Sequence, residues 1–286
     1  MNHQKMYLQP GLYLVATPIG TARDITLRAL DILASADVIA AEDTRSMRRL
    51  LEIHGVPLGD RKILSYHDHS GDKSRTAILG HIAAGRSVAY GSEAGTPLIA
   101  DPGYHLSREV TEAGYPVTSA PGPSAVVTAL SLAGLPTDAF FFAGFLPNAS
   151  GARKKALTEL RDIPGTLVFY ESPRRVAAML ADAAEVLGAT RQAAVCRELT
   201  KKFEEVRRGG LAELAASYDD APKGEIVVLI DRAGDEARDE GDIETALETA
   251  LQTMSVRDAA ESVARAFGAH KRGVYQLALK LSAKQG

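Results

Sequence analysis

Cysteine occurs once in the 286 residues, as Cys196, which excludes an intramolecular disulfide and any cysteine-based metal cluster. No apolar run approaches the roughly 20 residues needed to span a bilayer. The opening MNHQKMYLQP lacks the basic start and apolar stretch of a secretory leader. A cytoplasmic, soluble protein without a metal centre is therefore expected. Neither G-x-G-x-x-G nor G-x-x-x-x-G-K-[ST] occurs anywhere, so the usual backbone cradles for dinucleotides and nucleoside triphosphates are missing too. Internal repeats and low-complexity tracts are also absent.

What remains is an ordinary globular composition, 45% apolar and 24% charged, with a net charge of −3. The charge is sorted along the chain. Residues 231–253 hold eight acids against two bases, and residues 254–286 hold six bases against two acids. That pattern fits a basic module on an acidic tether. It fits equally an acidic linker beside a solvated helix pair.

Apolar periodicity divides the rest into α/β units. The runs GLYLVATP, DVIAAED, KILSYH, SVAYGSEAG and PVTSAPG read as strands. Between them TLRALDILASA, TRSMRRLLEIHG, SRTAILGHIAAG and YHLSREVTEAG read as helices. Five strands alternating with four helices predict a largely parallel sheet covered on both faces. Pro-Gly-Pro at 121–123 then leads into a small-residue helix and a second α/β unit. The expected organisation is an N-terminal α/β domain over 1–121 and a second one over 122–231. An acidic linker over 232–253 and a helix-turn-helix over 254–286 follow.

Three loops stand at carboxyl ends of first-domain strands: 16–26, 41–45 and 91–103. Ligand sites in parallel sheets form beyond such ends. Pro and Gly in these loops permit close backbone approach, and Thr17, Ser92 and Thr96 offer hydroxyls. Glu42, Asp43, Glu93 and Asp101 make the rim acidic, which suits a cationic or hydroxyl-rich ligand. The structural alternative is that Pro and Gly shape turns while the acids cap helices.

Seven segments in unbroken order over residues 11–231 carry a resemblance: GLYLVATPIG with DITLRAL, VIAAEDTR, SEAGTPLIADPGYHL, APGPSAVVTALSLAGLP, FFFAGFLP, TLVFYESPRRV and GEIVVLI. They resemble the tetrapyrrole-methylase superfamily, and within it the ribosomal RNA small subunit methyltransferase I branch, a cytidine 2′-O-methyltransferase of 16S rRNA. The resemblance implies two α/β domains with S-adenosylmethionine held in the cleft between them. A sulfonium needs no phosphate cradle, which fits the missing motifs. Carried over by position, it implies cofactor contacts from Pro18, Gly91, Ser92, Glu93, Thr96, Ser124 and Ala125. Tyr170 and Leu199 fall where the second domain closes over the adenine side. Glu93 stands where the branch usually has Asp, and Thr21 where it has Asn. Asp68 and Ser70 replace Glu and Asn. The implied partner is 16S rRNA within the small ribosomal subunit, and the implied assembly a homodimer.

A ribose hydroxyl is a weak nucleophile, so a carboxylate or imidazole within hydrogen-bond reach is expected to help remove its proton. Asp43, Glu42, His67 and Glu198 are the candidates. Asp43 also fits an N-cap, His67 a loop histidine, and Glu198 a partner of Lys201 or Lys202. Arg153, Lys154, Lys155, Arg174 and Arg175 are candidate phosphate contacts, or else a solvated face. Lys271 and Arg272 open the second helix of the tail, where a helix-turn-helix would meet RNA. Competing readings are methylation of a porphyrinoid or other small molecule, and RNA binding without catalysis.

Overall fold

The computed structural model describes residues 3–67, 71–218, 221–233, 240–267, 269 and 271–285. The positions of Asp68 and Ser70 lie outside them. The predicted strands of the first unit form β1 (Gly11–Val15), β2 (Val38–Ala41), β3 (Ile63–Ser65), β4 (Ser87–Gly91) and β5 (Val117–Ala120). They pair in parallel in the order β3-β2-β4-β1-β5. Four helices return the chain: α1 (Leu27–Ser35), α2 (Thr44–Ile53), α3 (Gly71–Ala83) and α4 (Tyr104–Glu112). One sheet face packs Leu30, Leu33 and Leu51; the other packs Ile78, Ile82, Leu106 and Val110. Both faces are dry, as a parallel sheet requires.

Register places the site. Val15 and Ala41 both lie opposite Gly91, so three neighbouring strands end on one line and release their loops side by side. The missing side chain at Gly91 leaves room for the Met47 methyl, which a Cβ would meet. Gly91 therefore lets α2 pack closely onto the sheet, and it lies outside the lining of the two concavities described below.

The hinge leads into α5 (Ala125–Ala133) and then β6 (Phe140–Phe145), α6 (Ser150–Leu160), β7 (Thr166–Glu171) and α7 (Val176–Leu187). The strands β8 (Gln192–Arg197) and β9 (Glu205–Gly210), the helix α8 (Leu211–Ala216) and the strand β10 (Ile226–Ile230) complete the unit. Its sheet runs β6-β7-β10-β8-β9, with only the β6–β7 pair parallel. The charged stretch TKKFEEVRRG contains the edge strand β9, hidden from apolar periodicity because it pairs on one side only.

The stretch expected as a linker is partly helical. From Glu240 to Leu251 the chain forms α9, followed by α10 (Val256–Phe267) and α11 (Lys271–Gln285). Ile243 and Leu247 sit one turn apart and bury against Ala260, Val263, Val274 and Ala278. The tail is thus a three-helix unit with its own core, and acid content masked an amphipathic helix. No helix among the described residues is long and apolar enough to cross a membrane.

Candidate active site

A cavity of about 360 Å³ opens where the two α/β domains meet. The first domain lines it with Ile19, Glu42, Glu93, Ala94, Gly95, Thr96, Ile99 and Asp101. Ser124 and Ala125 line it from the hinge; Phe145, Tyr170, Ser172, Leu199 and Val227 line it from the second domain. The domains touch beside it: the Thr21 amide donates to Thr200 Oγ1 at 3.1 Å, and a Cβ on Gly20 would come within 2.8 Å of the Leu199 carbonyl oxygen. Only glycine lets the first loop approach that closely.

The hydroxyls expected to contact a ligand spend their protons on fixing the loops. Thr17 Oγ1 donates to the Ser92 carbonyl at 3.3 Å, Ser92 Oγ to the Gly95 carbonyl at 3.0 Å, and Thr96 Oγ1 to the Pro123 carbonyl at 2.9 Å. Thr17 and Gly95 also exchange backbone hydrogen bonds of 2.9 and 3.0 Å. Loop positions are thereby set before any ligand arrives. Ser124 is extended and its side chain makes no cap bond, which leaves the first-turn amides of α5 at the cavity.

Asp101 is the residue that the site adds to the expected set. Leu98 and Ala100 before it take φ of +73° and +58°, a left-handed conformation that costs non-glycine residues about 1–2 kcal/mol each. The loop is held there by Tyr90, whose hydroxyl donates to the Pro102 carbonyl at 3.0 Å. Burial raises the Asp101 carboxyl to about 7, and the neighbouring charges of Glu42 and Glu93 act in the same direction; a Ser92 hydrogen bond opposes them. Across the cavity, burial and then the charge of Asp101 push the Tyr170 phenol up to about 12. A raised carboxyl in a cleft makes Asp101 a candidate for proton transfer. Its Asp-Pro-Gly context is visible in the sequence; its burial and the nearness of Glu42 are not.

The other candidates separate. Glu42 lines the cavity and its Oε2 accepts from the Glu93 amide at 3.4 Å. Asp43 does not line it: Oδ1 accepts from the Arg45 and Ser46 amides at 2.7 and 3.1 Å, capping α2. Those two amide hydrogen bonds hold the carboxyl below its ordinary range, which weakens it as a base. Glu198 accepts from Lys201 Nζ at 2.9 Å and from the Glu225 amide at 3.2 Å, and the Lys201 hydrogen bond lowers its carboxyl. His67 follows Tyr66 beyond β3, exposed, and lines neither this cavity nor the one beside α2. Pro18 and Ser92 line that neighbouring concavity.

The expected phosphate contacts separate as well. Arg153 is 4% exposed and ion-paired to Asp182 at 2.6 Å, a structural pair inside the second domain. Arg175 donates to the Leu146 carbonyl at 2.7 Å and faces Glu171 at 3.2 Å, tying β6 to β7. Lys154 reaches Glu185 at 2.6 Å. Lys155 and Arg174 are solvent-facing. In the tail Arg272 is exposed, and Lys271 pairs with Glu261 at 2.7 Å.

A parallel sheet, a mixed sheet and an acid-rimmed cleft between them define a class of two-domain α/β methylases. Residues 11–215 match the family described as Tetrapyrrole (Corrin/Porphyrin) Methylases, and residues 237–282 match the RsmI C-terminal HTH domain. The chain belongs to this family, in its ribosomal RNA small subunit methyltransferase I branch. A relative of that name from Mesorhizobium japonicum is 46% identical, covering 98% of this chain and 95% of its own. Another from Vibrio cholerae is 42% identical, covering 95% of each. Among solved structures the methyltransferase CobJ superposes with a TM-score of 0.60 at 19% identity, covering 78% of this chain and 94% of its own. Diphthine synthase does so with 0.60 at 14%, covering 77% and 89%. These two likenesses establish the shared fold.

Proposed function

We propose that the protein transfers a methyl group from S-adenosylmethionine to the ribose 2′-hydroxyl of a cytidine in 16S rRNA of the small ribosomal subunit. The observation that carries this reading is the acid-rimmed interdomain cavity in a chain 46% identical to a ribosomal RNA small subunit methyltransferase I. The match of the three-helix tail to the RsmI C-terminal HTH domain favours RNA over a porphyrinoid acceptor.

The cavity's residues fit the cofactor. Its volume of about 360 Å³ suits a nucleoside-sized ligand, and it presents no lysine or arginine to a phosphate. Glu42, Glu93 and Asp101 oppose a cation. The free amides at the start of α5 suit a carboxylate, and Tyr170 with Leu199 offers an apolar wall to adenine. When bound, S-adenosylmethionine supplies an electrophilic methyl carbon on a sulfonium.

The chain's own task is to position, exclude water and move one proton. Asp101, ionised, would accept the proton of the 2′-hydroxyl and become a neutral carboxylic acid as that oxygen takes up the methyl group. A pair of subunits would cover edge strand β6, where Phe140, Phe141 and Phe145 stand exposed.

The test is mass-spectrometric mapping of ribose methylation in 16S rRNA from cells with and without the gene. One methylated cytidine ribose should disappear and return on complementation. Identical maps would overturn the proposal.

A further inference from the structure

A second concavity, about 580 Å³, opens on the first domain between α2 and the loop after β1. Its α2 wall presents Arg45 and Arg49, and Thr17, Ser46 and Ser92 add polar lining. It neighbours the interdomain cavity, and Glu93 lines both. The two guanidinium side chains are 92% and 74% exposed, and their acid partners Asp43 and Glu52 stand at 3.6 Å. Exposed pairs at that distance are weak and exchange readily for another anion.

We infer that this groove holds the sugar-phosphate backbone of the RNA strand that carries the target nucleotide, with Arg45 and Arg49 each against a phosphate. The inference rests on the rRNA reading above. Residues i and i+4 on a helix stand about 6 Å apart along its axis, comparable to one nucleotide step. Guanidinium forks match phosphate oxygens in shape as well as charge. The change of sign along the path sets the register. Arg45 and Arg49 hold phosphates at the basic wall of a groove that Asp43 and Glu93 also line, and Glu42, Glu93 and Asp101 repel a phosphate from the neighbouring cavity, so a sugar, not a phosphate, enters it. Exposed Arg48 on the same helix lies outside the groove lining and serves as an internal comparison.

The experiment measures binding of full-length protein to purified small ribosomal subunits across a potassium chloride series. Arg45→Gln/Arg49→Gln, Arg45→Lys/Arg49→Lys and Arg48→Gln are compared with the parent. Loss of two phosphate contacts should reduce the slope of log affinity against log salt by about 1.4–1.8. The double glutamine variant should therefore bind at least about tenfold more weakly at low salt. The lysine pair should restore most of the slope, and Arg48→Gln should leave it unchanged. Calorimetric affinity for S-adenosylmethionine should be equal in all four proteins.

An unchanged slope in the double glutamine variant overturns the groove assignment. So does a parallel loss of cofactor affinity, because the effect would then be structural. A parent protein that neither binds nor methylates the subunit instead overturns the reading beneath it.

Discussion

Replacing Asp101 by asparagine should make the protein both more stable and far slower. The carboxyl is raised from 3.8 to about 7, by burial first and then by Glu42 and Glu93. Because the folded chain holds that proton more tightly than the unfolded chain, stability falls as pH rises from about 4 to about 7 and stays reduced above that. Taken at face value the shift caps the penalty at about 4 kcal/mol. Solvent in the open cavity screens much of it, leaving about 1–2 kcal/mol. Asparagine keeps the shape and never ionises, so Asp101→Asn should melt a few degrees higher at pH 8 and match the parent near pH 4. A carboxyl present only for structure would give the opposite sign, since its loss would destabilise.

Activity should move the other way. Losing a general base costs about 10²–10⁴ in rate. Below its titration point the parent's single-turnover rate should rise about tenfold per pH unit as the carboxylate forms. The bound sulfonium favours the ionised form, so the midpoint in the loaded enzyme should lie below about 7. Glu42, Glu93, Ser92 and Tyr170 are the groups that face Asp101 and tune this limb. Asparagine should abolish the limb while calorimetry shows near-normal cofactor affinity. Single-turnover methylation of the small subunit from pH 5.5 to 8.5 is the assay. A variant that turns over at close to the parent rate with the same pH profile would refute the role of Asp101.

Three further substitutions test separate parts of the site. Ser124→Leu places a branched side chain at the hinge end of the cavity and should weaken S-adenosylmethionine binding by tenfold or more with an unchanged circular dichroism spectrum, about 1.4 kcal/mol or above. Arg153→Ala leaves buried Asp182 with only Ser150 Oγ at 3.0 Å and Lys154 Nζ at 3.7 Å and should destabilise the protein in urea unfolding, by less than the ~3–5 kcal/mol of a fully orphaned charge, whereas a phosphate-binding arginine would lower RNA affinity alone. Asp43→Asn keeps the α2 cap and should methylate close to the parent rate, while Asp43→Ala should lower the melting temperature; a large rate loss in the asparagine variant would return Asp43 to the chemistry.

Legibility in the sequence followed the range of the interaction. Strands with two paired edges and two dry faces, such as VIAA and IVVLI, announce themselves, because every residue is apolar for the same reason. Edge strand β9 does not: Arg207 and Arg208 point to solvent or to neighbours, and one side of the backbone is unpaired. Helix α9 was obscured differently. Its two buried side chains, Ile243 and Leu247, sit in an acid-rich stretch, so composition points to a tether while their spacing fits a helix. Spacing prevails because burial depends on which residues share a face.

At the site, residue type was legible and environment was not. Asp43 and Asp101 are both aspartates at strand-end loops on one acidic rim. The cap is a local event: the two amides that bind Asp43 lie two and three residues ahead, and TRSMRRLL already signals the helix they begin. Asp101 depends on distant chain. Glu42 arrives from the end of β2, Glu93 precedes Asp101 in the same loop, and Tyr170 comes from the second sheet. The same asymmetry divides the arginines. Arg153 looked like a solvated cation until Asp182, 29 residues on, claimed it. Arg45 and Arg49, which the sequence did not single out, stay exposed in the fold and line a groove beside the cavity. A charge is open to a ligand where the fold leaves it unspent next to a cavity, and on that criterion Asp101 at the interdomain cavity and Arg45 and Arg49 at the neighbouring groove are the residues to test.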